Sequence, residues 1–99
     1  MKLVYSSRYT LDIGPHVFLT EKYRRVHERL TAEPHPHLDG VVAPDAATWE
    51  QLALVHSDEY LDKVRTCTLS SDELVQLGLP LTDSVVEGFR LMTGGTLTA

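Results

Sequence analysis

Hydrophobic residues along this chain fall into short runs broken by proline and glycine, with one clear helical stripe. Lys2 to Tyr5 reads as a short buried strand, since Leu3, Val4 and Tyr5 are good strand formers. Residues 6–19 show no clean period, and Gly14-Pro15 marks a loop. Thr20 is placed to N-cap a helix starting at Glu21. Within that helix Tyr23, Val26, His27 and Leu30 fall at i, i+3, i+4 and i+7, and charged residues take most of the other face. Pro34 and Pro36 stop it, and Glu33 to His37 should be extended.

Further on, the apolar pair Val41-Val42 ends at Pro44, and Asp45 is a candidate cap for a brief helix through Trp49 and Gln51. Leu52-Ala53-Leu54-Val55 is a second strand candidate, followed by Ser57 as cap of a helix over residues 58–66. Ser70 and Glu73 have capping-box spacing, and that helix should end near Gly78, with Pro80 as a stop. The last helix starts at Thr82 or Asp83 and runs to Ala99. Val86, Phe89, Met92, Thr96 and Ala99 recur at helical spacing along it, with Glu87 and Arg90 facing water. Gly94 and Gly95 sit inside this helix at a cost of roughly 1 kcal/mol each, which calls for a backbone passing close by. Nothing later in the chain supplies that neighbour.

The elements alternate as in an α/β sheet, yet two or three short strands cannot complete one, because parallel strands are covered on both faces and flanked by others. The 99 residues therefore read as one incomplete domain. An apolar content of 42% is that of a globular chain, not a disordered one. No apolar run reaches the roughly 20 residues of a membrane helix, and no signal-peptide core opens the chain. The single cysteine, Cys67, excludes an internal disulfide and a multi-cysteine zinc site, which makes the cytoplasm the expected compartment. The net charge of −5 argues against nucleic acid as a partner, although six of the nine bases lie within residues 1–30; a solvated helix face accounts for Arg24, Arg25 and Arg29.

Candidate chemistry is sparse. His35 and His37 flank Pro36, and in an extended segment both imidazoles point to one side, as a metal pair would. The further ligands of a four-coordinate zinc site are missing from that spacing, and a solvated proline-rich loop is the simpler reading. His27-Glu28 begins like an HExxH helix, but Thr31 stands where the second histidine belongs. His56 reads as a structural hydrogen-bonding residue and Trp49 as a packing residue. Cys67 has only Lys63 and Arg65 nearby to activate it, so a bystander thiol is the better reading. His16 lies in the Gly14-Pro15-His16 loop, and loops do carry function. No complete catalytic constellation and no set of metal or cofactor ligands is present in the sequence.

Four segments taken together resemble the N-terminal part of the histone deacetylase superfamily, of the bacterial deacetylase-like and acetoin-utilisation type. They are Leu3-Val4-Tyr5-Ser6 with Gly14-Pro15-His16; the helix Glu21 to Leu30; Leu54-Val55-His56-Ser57-Asp58-Glu59-Tyr60-Leu61; and Leu77-Gly78-Leu79-Pro80 leading to Thr93-Gly94-Gly95-Thr96. The resemblance spans essentially residues 1–99. It implies an arginase/deacetylase-like α/β fold, a parallel sheet flanked by helices, of which this chain is the N-terminal segment, cut before the zinc site.

It also implies zinc-dependent amide hydrolysis of an acetyl-lysine or small N-acyl substrate by the complete domain, zinc being the expected cofactor there and none being held by this chain. The family's catalytic residues and zinc ligands follow the Gly-Gly helix, so none has a counterpart here. Two positions carry over to the rim of the substrate channel, His16 in the first loop and Gly78 in the second. Many family members place an aspartate where Gly78 stands, and its lack favours a small-molecule or unusual acyl substrate over a peptide. The family's His-Pro pattern after His16 is replaced by Val17-Phe18-Leu19. The alternative from the residues alone is a small stand-alone module without catalysis that binds a partner through an unpaired sheet edge and an apolar helix face.

Overall fold

The computed structural model describes residues 1–16 and 19–99. Its elements are β1 (Lys2–Val4), a 3-10 turn (Ser7–Tyr9), α1 (Glu21–Thr31), β2 (Gly40–Val42), α2 (Trp49–Leu52), α3 (Asp58–Thr66), α4 (Ser71–Leu77) and α5 (Asp83–Thr98). The chain is thus helix-rich around a small sheet of two strands. β1 and β2 run parallel, Leu3 opposite Val41 and Val4 opposite Val42, and Tyr5 extends the ladder by donating its N–H to the Val42 carbonyl at 3.0 Å. Parallel pairing requires a crossover, and α1 supplies it.

Local chemistry fixes most helix ends. Ser57 Oγ accepts from Tyr60 N–H, and Thr82 Oγ1 accepts from Val85 N–H. Thr48 and Ser70 each form a capping box, reciprocated by the Gln51 and Glu73 side chains. Caps of this kind contribute about 1 kcal/mol each by satisfying donors at the helix start. Gly78 closes α4 in the left-handed region at φ 80° and returns its N–H to the Leu74 carbonyl at 2.9 Å. The Ser70 N–H and hydroxyl, together with Lys63 Nζ at 3.2 Å, hold the Glu73 carboxyl below its ordinary pKa. A carboxyl lowered in the folded state stabilises above its unfolded pKa, and that contribution is lost as pH falls through the folded value. The start of α4 is therefore expected to fray in acid, below the usual Glu range. In Glu73→Gln the acid-dependent part of that loss should vanish, which thermal melts followed over pH will read.

Several expectations need correction. Thr20 does not cap α1: it is itself helical, and its hydroxyl accepts from Leu11 N–H and donates to Leu11 O, pinning the preceding loop. Thr48, not Asp45, caps α2. Residues 52–55 are not a strand: Leu52 ends α2, and Leu54 and Val55 sit in the following turn, 84% and 79% exposed. The capping box starts a helix upstream, and its last turn consumes the apolar run. Residues 36–37 form a turn in place of an extended strap, with His37 N–H donating to His35 Nδ1.

Nor does Arg90 face water. Its Nε donates to the Ala47 carbonyl at 3.0 Å, and its guanidinium lies over the Trp49 ring. The paired glycines do have neighbours, and these come from earlier in the chain: the Asp45 and Ala47 backbone lies against Gly94, and the Tyr9 ring against Gly95.

The buried apolar residues gather on α5 (Val85, Val86, Leu91), with Tyr9, Ile13, Ala47, Leu61 and Leu69 around them. Beyond this strip the apolar faces are only partly covered. α1 buries no residue, although Tyr23 meets Tyr9 edge-on and His27 stacks on Tyr5 at 4.0 Å; Val26 and Val41 remain 53% and 45% exposed. The described residues form a slab of 47 × 31 × 16 Å with a radius of gyration of 15.4 Å. A compact domain of this length has about 13 Å. Helices are about 10 Å across, so 16 Å leaves no room for the helix–sheet–helix sandwich that parallel strands require.

Candidate functional site

The fold brings together His16 and Gly78, the two residues singled out by the resemblance. His16 Nε2 lies 3.1 Å from the Gly78 carbonyl, across 62 positions of sequence. With its proton on Nε2 the imidazole donates to that carbonyl and ties the Gly14-Pro15-His16 loop to the end of α4. The carbonyl is presented by the left-handed conformation of Gly78, which turns the chain sharply after Leu77. A Cβ built on Gly78 meets nothing within 4 Å, so an alanine there suffers backbone strain alone. Gly78→Ala should cost about 1 kcal/mol in a urea titration, and a larger loss would mean that the His16 contact depends on this turn. Val17 and Phe18, which stand in place of the His-Pro pattern, lie outside the described residues.

A second feature escaped sequence reasoning. An apolar cleft of about 280 Å³ opens between α2, α3, residues 79–81 and α5, with Leu61, Val64, Val86 and Phe89 among its walls. Trp49 and Arg90 stand in its lining. The Arg65 and Arg90 guanidiniums both lie over the Trp49 ring, 4.5 and 4.6 Å from its centroid, where the negative ring face attracts cations. Arg90 is further held by Glu87 at 2.8 Å. The only sequence signal for this cluster was a tryptophan followed 16 and 41 positions later by arginines, which no local pattern links.

The remaining candidates are dispersed. Cys67 caps α3 in the left-handed region at φ 55° and contacts Asp83 through its thiol at 3.6 Å. Burial and that carboxylate push the thiol pKa up, away from nucleophile activation. Lys63, the nearby base singled out by sequence, is engaged by Glu73 and Glu59. The His35 and His37 rings are 5.8 Å apart on an exposed turn. His56 is exposed beside Tyr60, and its side chain makes no hydrogen bond among the described residues, contrary to the structural role read from sequence. Among the described residues no three His, Cys, Asp or Glu side chains come together as a metal centre needs. No described helix is long and apolar enough to cross a membrane. Compared with protein-family models and with curated proteins, the chain gives no match to either.

Proposed function

We propose that residues 1–99 are the N-terminal portion of a zinc-dependent, deacetylase-like amide hydrolase with an arginase/deacetylase-type fold. Its substrate is an acetyl-lysine or small N-acyl compound. The observation that carries this reading is the unfinished sheet: two parallel three-residue strands in a slab 16 Å thick, with apolar faces of α1 and β2 still exposed. Further strands and helices packed on those faces would complete an α/β domain. The order of the four segments that resemble the superfamily gives that completion its identity.

The hydrogen bond between His16 and Gly78 supports the same reading. The two loops assigned to the channel rim are neighbours, although nothing in their sequence separation requires it. In this reading the chain's own residues shape and brace the channel mouth. Among the described residues no cluster of side chains fits the zinc ion, which polarises the amide carbonyl and activates water in such hydrolases; in this reading its ligands lie in further polypeptide. Gly78 offers no carboxylate to hold a peptide backbone, which favours a small N-acyl substrate.

The test is a zinc-supplemented deacetylation assay on the 99-residue chain and on a polypeptide carried past Ala99 in the same reading frame. Acetyl-lysine peptides and small N-acetyl amines serve as substrates. Turnover only by the longer chain, faster on the small amines, is the expected result; robust turnover by the short chain contradicts the proposal.

A further inference from the structure

We propose that the cleft beside Trp49 binds a medium-chain carboxylate, with the alkyl chain along Leu61, Val64, Val86 and Phe89 and the carboxylate at Arg65. This inference is independent of the hydrolase reading. The cleft walls supply hydrocarbon contact, and about 280 Å³ sits at the low end of small-molecule pockets, roughly 300–1,000 Å³. That size suits a single alkyl chain better than a bulky ring system or a peptide.

Charge selects the head group. Arg65 has no carboxylate partner among the described residues, in a chain whose net charge is −5; its guanidinium rests on the Trp49 ring. Arg90, over the same ring, is already neutralised by Glu87. Arg65 is thus a cation without a counter-ion among the described residues, and it rests on a ring that lines the apolar cleft. An anion joined to an alkyl chain satisfies both features at once: its oxygens take the unused guanidinium donors of Arg65, while its tail leaves water. A neutral alcohol of equal length gains only the second term.

Trp49 is the only tryptophan of these 99 residues and stands at the proposed site, so its emission reports occupancy. Decanoate, held below its micelle-forming concentration, is titrated against the 99-residue chain or any longer polypeptide that carries it. Signal from Trp49→Phe is subtracted to isolate Trp49. Saturable binding is expected, about tenfold tighter for decanoate than for decanol and about tenfold weaker in Arg65→Glu. Arg65 is exposed, so that variant keeps its fold; Arg65→Lys, which retains the charge, should restore most of the affinity. Equal affinity for acid and alcohol, indifference to Arg65→Glu, or no saturable change at all would each overturn the proposal. The last outcome would mean that the cleft is covered by other polypeptide.

Discussion

Replacing Gly94 with alanine will destabilise the protein by roughly 3 kcal/mol, even though alanine is the better helix former by about 1 kcal/mol. A Cβ at this position runs into the Asp45 carbonyl oxygen and comes within 2.8 Å of the Ala47 nitrogen, and both are backbone atoms. Neither can rotate away. The Ala47 N–H is also committed to the Arg90 carbonyl at 2.9 Å, so moving the 45–47 segment breaks that bond as well. Gly95→Ala makes the informative contrast. There the obstacle is the Tyr9 hydroxyl, the far end of a side chain, which moves at the expense of its hydrogen bond to the Leu91 carbonyl. That variant should lose about 1 kcal/mol. Urea unfolding of both, in the longest soluble polypeptide carrying this sequence, will give the two values where the transition is cooperative.

Arg90→Met is expected to cost roughly 2 kcal/mol. Methionine keeps the apolar length of the stem but gives up the guanidinium, which joins three elements of the structure. Ala47 is completely buried, and its carbonyl receives the Arg90 Nε–H; without that donor a buried acceptor is left unsatisfied, which costs about 1–3 kcal/mol. The contact over Trp49 and the pairing with Glu87 disappear too, each adding a few tenths of a kcal/mol to about 1. Arg25→Met serves as the control. Among the described residues its guanidinium meets only Glu21, on an exposed helix face, and the change should stay within about 0.5 kcal/mol. If the two arginines cost the same, Arg90 is not the tie between α5 and the 45–47 segment.

What could be read from sequence was the local part of the fold. Ser57, Ser70 and Thr82 announce their helices because a hydroxyl two or three residues ahead of free N–H groups is a short-range device. Gly78 announces the end of α4 for an equally local reason, the left-handed turn. The misread segment, residues 52–55, shows how two local signals compete. Four apolar residues fit a strand, but Thr48 and Gln51 upstream fit a capping box, and the box prevails because it nucleates a helical turn before the run begins. The sequence required a close neighbour for Gly94 and Gly95 yet gave no means of finding it, since Asp45 and Tyr9 lie dozens of positions away.

The candidate site divides the same way. His16 and Gly78 were reached through resemblance, and their contact is a tertiary fact. The cluster of Trp49, Arg65 and Arg90 was missed because Arg90 falls on the polar side of the α5 stripe by periodicity. The 45–49 segment folds over that side and turns a solvent position into a contact. A helical period identifies the face that packs most heavily, not the segments that cross the other one.

Calorimetry of the isolated 99-residue chain tests the unfinished sheet most directly. A complete domain of this length unfolds near 60 °C with about 70 kcal/mol of enthalpy in one sharp transition. A half-covered slab should instead give a broad transition with well under half of that heat, or aggregate, and a polypeptide carried past Ala99 should recover the sharp peak. A single cooperative transition of full enthalpy from a monomer of the short chain would show that these helices and two strands close a core by themselves, and would contradict the proposal that they await the rest of a hydrolase.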